Sequence, residues 1–297
     1  MRKLLLVMTA IAAVTLTASA QQPLTPIGYG QLRTALNPAT SLMHAEGEVS
    51  FIGRRQWVGV TGAPAVFWGS GHMGFSQSRA TAGLNMRHES LGVEKLSEAS
   101  VFFAKSVRIS HSEYIGVSLN AGLNYLDGRF SQLDPMDPAF REDTQETDAL
   151  VGFGVVVFRP ERYYVGVSLP RLMFSSLGIG KGNRYNFRNV YHLTAGALFG
   201  LGADFHVRPS LLVTYSESLR PQAEVSAMVF VKEAFGLGLN VRSYGEVAGM
   251  MQFNIGGFGL GYNYQFNPRN EPLNRYINNA THELGISYRF GARAGLL

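Results

Sequence analysis

Apolar and polar residues alternate one by one along most of this chain. In the clearest stretch one face consists of Phe258, Leu260, Tyr262, Tyr264 and Phe266, and the other of Gly257, Gly259, Gly261, Asn263 and Gln265. A period of two residues predicts β-strands. The second face is too small and too polar to form the core of a water-soluble β-sandwich. The pattern therefore predicts an all-β, antiparallel transmembrane barrel with apolar side chains toward lipid and polar ones toward the lumen.

About fourteen such strands can be traced between residues 48 and 290, with the eighth over 189–202. An even barrel has both chain ends in the periplasm, so its connections alternate between the periplasm and the outside. The three longest connections, 127–146, 170–188 and 267–280, all fall on the external side in this count. That agreement supports fourteen strands.

The final strand carries the terminal signal of many bacterial outer-membrane barrels, with Gly285, Tyr288 and Phe290 at its fixed positions. Its apolar residues fall on one face and Glu283, Gly285, Ser287 and Arg289 on the other. We therefore expect this strand to close the barrel, with Tyr288 and Phe290 facing lipid.

Aromatic rings near strand ends are expected at the membrane interface. The residues so placed are Trp57, Trp68, Tyr163, Tyr164, Tyr185, Tyr191, Tyr244, Tyr276 and Tyr288. A second set of charged side chains is predicted to face the lumen, where they could line a pore or pair across a plug. These are Arg87, Lys105, Glu224, Lys232, Arg242, Glu283 and Arg289.

The chain ends predict export. Arg2 and Lys3 precede an apolar stretch and Ala18-Ser19-Ala20 offers a cleavage site, so residues 1–20 are predicted to be a signal peptide. Residues 21–47 then form a lead-in at the periplasmic mouth or in the lumen, 48–290 the barrel and 291–297 a tail. The chain has no Cys, which excludes a lipid anchor, disulfides and thiolate metal sites.

Composition narrows the function classes. Loss of Arg2 and Lys3 lowers the formal net charge from +5 to +3, because residues 1–20 contain no acidic residue, and this argues against nucleic acid as a partner. Charged residues are only 16% of the chain, yet no later stretch is apolar long enough for a membrane-spanning helix. A barrel of the bacterial outer membrane remains.

No catalytic, metal or cofactor site is predicted. The Gly-rich run 69–74 fits a nucleotide-binding pattern but lies within a predicted strand. His282 next to Glu283 could be a base and its orienting partner, although a hydrogen-bonded pair at a strand start is the simpler interpretation. The acidic residues between Asp134 and Glu146 lack the spacing of a calcium loop, so a solvated external loop is expected.

Several segments resemble the PorP/SprF family of outer-membrane proteins associated with type IX secretion and gliding motility. The resemblance rests on Asn37-Pro38-Ala39, on Arg55-Gln56-Trp57 followed by Gly62-Ala63-Pro64, and on Thr281-His282-Glu283-Leu284-Gly285-Ile286. These motif positions are candidates for structural roles or partner contacts. Trp57 is expected to anchor the rim, and Gly62 with Pro64 to turn the chain into the second strand.

The resemblance implies a non-enzymatic barrel that works with type IX secretion components. It would either retain the C-terminal domain of a secreted adhesin at the cell surface or link to periplasmic components, with outer-membrane lipid around it. The alternative is an outer-membrane channel for small or hydrophobic solutes, which liposome conductance or uptake would distinguish.

Overall fold

The computed structural model describes residues 25–44, 46–133, 136, 142–175, 189–217, 219–266, 280–291 and 296–297. The predicted signal peptide, Tyr185, Tyr276 and much of the three longest connections lie outside these residues. None of the helices in the described ranges is long and apolar enough to cross a membrane.

The described chain is almost entirely antiparallel sheet. Its strands are β1 Gly47–Arg55, β2 Ala65–Phe75, β3 Ala80–Leu91, β4 Glu94–Arg108, β5 Tyr114–Gly128, β6 Thr144–Arg159, β7 Tyr163–Met173, β8 Val190–Ala197, β9 Phe199–Leu201, β10 Phe205–Ser216, β11 Gln222–Val231, β12 Phe235–Arg242, β13 Val247–Ile255, β14 Phe258–Phe266 and β15 Thr281–Arg289. Except for β8 and β9, which both pair with β10, the strands pair with their neighbours in chain order, and β1 pairs with β15, so the sheet closes on itself.

The ring has fourteen barrel strands, because β8 and β9 both pair with β10 and form one strand position. The predicted fourteen-stranded barrel is therefore confirmed. The break in the eighth position lies at Leu198, which departs from the sequence alternation. Leu198 packs against two groups of buried apolar residues in the lumen, which explains the departure.

Side chains along each strand alternate between an exposed and a buried face. Leu284, Ile286 and Tyr288 of β15 point outward, as predicted. The predicted inward set points into the lumen: Glu283, Gly285, Ser287 and Arg289. A belt of exposed apolar side chains on the outside is what a hydrocarbon environment requires. The polar side chains are in the lumen, away from the hydrocarbon.

Four residues lie elsewhere than the sequence predicted. Trp68 and Tyr164 were expected at the membrane interface but are buried in the lumen, where they pack against apolar residues. Lys105 is exposed between the buried residues Ala104 and Ser106, so it is on the outer face. Lys232 has a φ of 49° and lies in the turn after β11, so it faces no lumen at all.

The connections differ in length at the two ends of the barrel. One end carries 56–64, 92–93, 129–143, 174–189, 217–221, 243–246 and 267–280, and the other carries 76–79, 109–113, 160–162, 202–204, 232–234 and 256–257. The first is the external end and the second the periplasmic end in the orientation that an even strand number predicts. Two of the long external connections, 129–143 and 174–189, are shorter than the sequence suggested because β5, β6 and β7 extend further, whereas 267–280 has the predicted bounds.

Candidate functional site: the occupied lumen and the external rim

Residues 25–44, which we call the lead-in, lie inside the barrel. They form a 3₁₀ turn at Tyr29–Gln31, a single α-helical turn α1 at Arg33–Leu36 and a longer 3₁₀ segment at Pro38–His44. Thr25, at one end of the lead-in, contacts Arg54 and Arg242 near the external ends of β1 and β12. His44, at the other end, contacts His72 near the periplasmic end of β2. The lead-in therefore descends through the lumen before the chain turns up into β1.

Thr25 lies in a charged cluster in the external half of the lumen. Its carbonyl oxygen accepts hydrogen bonds from Nη1 of Arg54 at 2.6 Å and from Nη2 of Arg242 at 2.9 Å, and its hydroxyl donates to Glu224. Nε of Arg242 also pairs with Glu224 at 3.0 Å. All four residues are buried, so each charge needs this partner set.

Glu283 clamps the next residues of the lead-in. Its carboxylate accepts hydrogen bonds from the backbone N–H of Ile27 at 2.8 Å and of Gly28 at 2.6 Å, and from Nδ2 of Asn263 at 2.9 Å. The carboxylate is buried, and charge-assisted hydrogen bonds of this kind are about twice as strong as neutral ones. The motif residue Glu283 thus joins the last strand to the lead-in.

Two glycines of the wall make room for Gln31. A Cβ at Gly261 would lie 2.1 Å from Oε1 of Gln31, and a Cβ at Gly285 would lie 2.8 Å from the same atom. Because real Cβ atoms do not approach so closely, any larger residue would displace the Gln31 side chain. Gly285 of the barrel-closing signal therefore leaves room for the Gln31 side chain against the wall.

Asn37 of the Asn-Pro-Ala motif occupies a similar notch on the opposite wall. Its Nδ2 donates to the carbonyl oxygens of Val155 at 3.1 Å and Val167 at 3.4 Å, and its Oδ1 accepts from the N–H of Ala39 at 3.1 Å. A Cβ at Gly154 would lie 2.1 Å from Oδ1 of Asn37. Pro38 follows at the start of the 3₁₀ segment and Ala39 is fully buried. The motif therefore docks the lead-in between β6 and β7.

The periplasmic end of the lumen is filled by both ends of the described chain. Leu297 packs with Leu42, Phe158 and other apolar residues, and the carbonyl oxygen of Leu296 accepts a 2.6 Å hydrogen bond from Nη1 of Arg208. His44 accepts a hydrogen bond from Nη2 of Arg33 at 2.8 Å. Burial, with the Arg289 and Arg33 guanidiniums nearby, holds the pKa of His44 well below its usual value, so the ring is neutral near pH 7.

The external half of the lumen beside β3 to β7 is charged and partly open. Arg171 pairs with Glu98 at 2.9 Å, and Arg87 pairs with Glu89. The side chains of both pairs remain partly exposed, between 14% and 18%. This wall therefore offers water-accessible charge of both signs below the longest external connections.

The Arg55-Gln56-Trp57 motif begins the first external connection. The backbone N–H of Gln56 donates to the carbonyl of Pro64 at 2.9 Å, and the N–H of Gly92 donates to the carbonyl of Gly62 at 2.9 Å. Gly62 has a φ of +74°, a conformation that favours glycine. Trp57 is exposed on the rim, as an interfacial anchor would be. Pro64 precedes β2 directly.

The interpretation of His282 and Glu283 as a hydrogen-bonded pair is wrong. His282 is on the outer face, where its Nδ1 shares a 2.8 Å hydrogen bond with the hydroxyl of Tyr262, whereas Glu283 points into the lumen. Neighbouring residues of a strand face opposite sides, so they cannot act as base and partner. The Gly-rich run 69–74 is part of β2. No group of three potential metal ligands occurs among the described residues.

Solved barrels give distant likenesses in fold. The outer membrane protein Omp33 of Acinetobacter baumannii is 9% identical, with 84% of this chain and 99% of that chain covered and a TM-score of 0.46. The toluene transporter TbuX of Ralstonia pickettii is 10% identical, with 86% and 92% covered and a TM-score of 0.48. No curated protein sequence matches the chain.

One family model accounts for almost the whole sequence. The model described as type IX secretion system membrane protein PorP/SprF matches residues 18–288, and the resemblance predicted from the motifs is confirmed. The lipid-facing belt of the closed barrel and this family membership together place the protein in the outer membrane. The chain belongs to the PorP/SprF family of type IX secretion system membrane proteins.

Proposed function

We propose that this protein is a non-enzymatic accessory of type IX secretion that receives the C-terminal domain of a secreted adhesin at the external face of the barrel. In this proposal residues 1–20 direct export and are removed. The lead-in fills the lumen, 48–290 spans the membrane, and Leu296 and Leu297 of the tail pack in the lumen. The lead-in and the tail are structural parts of the receptor and not a substrate path.

The distribution of surface between the two ends of the barrel carries this proposal. The periplasmic connections are all short, the longest being 109–113, and the periplasmic half of the lumen is filled by the chain itself. The external end has three long connections above the partly exposed Arg171–Glu98 and Arg87–Glu89 pairs. Exposed loops and unfilled charged walls are where a folded partner domain can dock.

The absence of catalysis in this proposal is supported by the position of the strongest candidate base. His282 faces the outside of the barrel, where Tyr262 occupies its Nδ1. Its neighbour Glu283 is committed to the backbone of the lead-in. A general base needs an orienting partner and a nucleophile within reach, and this pair provides neither arrangement.

The test replaces the external residues 130–142 with a Gly-Ser segment of equal length, so that the loop-closure entropy is retained. We expect loss of surface retention of the cognate adhesin C-terminal domain, with folding of the barrel unchanged. The matched control replaces the periplasmic residues 110–112 in the same way and should retain the adhesin. Retention should be measured by surface immunolabelling of a tagged C-terminal domain.

Two results would overturn the proposal. One is normal retention after the external replacement but loss after the periplasmic one, which would instead indicate a link to periplasmic components. The other is full retention in both variants together with solute uptake by the purified barrel in liposomes, which would indicate a channel.

A further inference from the structure

The lipid-facing surface has a groove of about 420 Å³ near the external rim, where β15, β1, β2 and β3 lie side by side. Gly53 is on its floor, with Leu284 of β15 and Phe67 of β2 directly across on either side. No heavy atom lies within 4 Å of the place where a Gly53 Cβ would be. The missing side chain therefore leaves an apolar slot open toward the membrane.

A polar row crosses the strands immediately above this slot. The residues in direct register from β14 to β4 are Tyr264, His282, Arg55, Ala65, Ser90 and Lys95. Two rows nearer the periplasm, the outward residues in register are Leu260, Ile286, Phe51, Gly69, Met86 and Ala99. The change from an entirely apolar row to one containing Arg, His and Lys marks the external boundary of the hydrocarbon.

The Arg55 guanidinium and two imidazoles at the slot are available for a ligand. The Arg55 guanidinium has no hydrogen bond or ion pair within the part of the chain that the structure describes. His88 borders the slot, and among the described residues its one hydrogen bond is at Nδ1, shared at 2.9 Å with the hydroxyl of Ser97. Within the same part of the chain His282 likewise bonds only through its Nδ1. The carboxylate that lies next to the slot, Glu283, points into the lumen, so the outer surface here is cationic.

We infer that this slot binds one phosphorylated glycolipid of the outer leaflet. An acyl chain fits beside Gly53, between Phe67 and Leu284, while phosphate groups at the membrane boundary meet Arg55 and His282 on one side of the slot and His88 on the other. A guanidinium presents a planar fork to phosphate oxygens, and imidazole N–H groups add single donors. The slot is apolar in its deeper part and cationic at its rim. This combination matches an amphiphilic lipid better than a soluble anion.

The experiment is native mass spectrometry of the full-length barrel in detergent with added bisphosphorylated lipid A. We expect one retained lipid, with the dephosphorylated lipid retained roughly tenfold less, the change expected from losing a charge-assisted contact. The variants Arg55→Gln and Gly53→Leu, which remove the fork and fill the slot, should each weaken retention to a similar degree. Lys105→Gln is the matched control, because Lys105 is an outward cation at the periplasmic end.

Three outcomes would overturn the inference. They are equal retention of phosphorylated and dephosphorylated lipid, weakening by Lys105→Gln as large as that by Arg55→Gln, and complete displacement of the lipid by excess inorganic phosphate. The first would indicate ordinary annular lipid, the second general electrostatic attraction and the third a site for free anions. Arg55 and Gly53 both lie on the outer surface. Whether the Arg55→Gln and Gly53→Leu barrels are monodisperse in detergent therefore checks that they fold.

Discussion

Removal of the Glu283 carboxylate should release the lead-in from the barrel wall. The carboxylate accepts from two backbone N–H groups, those of Ile27 and Gly28, in a buried site. A hydrogen bond to a charged group contributes about 1.5–3 kcal/mol, so Glu283→Ala should cost roughly 3–5 kcal/mol. Since 1.4 kcal/mol is about a factor of ten, the undocking equilibrium should increase at least roughly 100-fold.

The absence of Cys from the chain makes this measurable by thiol labelling. Ser41 is fully buried in the lead-in, so Ser41→Cys places a single near-isosteric thiol that reacts only when the segment leaves the wall. The labelling rate then follows the undocking equilibrium when redocking is fast. We expect the rate to rise about 100-fold or more when Glu283→Ala is added.

The control for this experiment is Glu98→Ala, which removes another lumenal carboxylate. Glu98 pairs with Arg171 and, within the described residues, has no hydrogen bond to the lead-in. It should leave labelling of the Ser41→Cys thiol nearly unchanged. Equal labelling rates in the Glu283 and Glu98 variants would refute the clamp and show that the lead-in is held elsewhere.

Two further predictions concern the same segment. Gly261→Val should raise the labelling rate of the Ser41→Cys thiol, because overpacking against Gln31 costs about 1–3 kcal/mol. The lipid-facing Gly249→Val has open space around it and should leave the rate unchanged. Similar rates in both variants would contradict the conclusion that Gly261 makes room for Gln31. Acid should also weaken docking. The pKa of His44 is lowered in the folded state, so its contribution is complete above about pH 6.5, the unfolded value, and is lost as the pH falls below it. His44→Gln keeps an acceptor without titrating, so the decrease in urea midpoint between about pH 7.5 and about pH 5.5 should be smaller than in the wild type, and an unchanged decrease would rule out His44 as its source.

The alternation of side chains was sufficient to predict the barrel and the strand number, because lipid on one side enforces a strict period of two. The contents of the lumen could not be read in the same way. Trp68 and Tyr164 were placed at the interface because an aromatic near a strand end usually lies there. Both instead cover the lead-in, as does the irregular Leu198. Large apolar residues on an otherwise polar face were the available signal that a second layer of chain lay inside.

The motif residues illustrate a second limit. Asn37 and Glu283 are far apart in sequence, and spacing along the chain contains no information about a segment that crosses the lumen. Their partners include backbone N–H and carbonyl groups, which any sequence possesses. The one trace of these contacts in the strand sequences is the inward glycines that face Gln31 and Asn37. A glycine in a barrel strand is equally expected wherever the sheet must curve, so this trace could not be interpreted from sequence.

The grip of β15 on Ile27 and Gly28 has a consequence for biogenesis. The last strand in chain order, β15, binds Ile27 and Gly28, which come before the first strand. The same strand pairs with β1 and closes the barrel. In a partially assembled sheet that lacks β15, Ile27 and Gly28 therefore have no Glu283 carboxylate to bind. Closure of the barrel and binding of Ile27 and Gly28 should therefore occur together, because both need β15. An insertion intermediate that lacks β15 should have neither a closed barrel nor these two residues fixed.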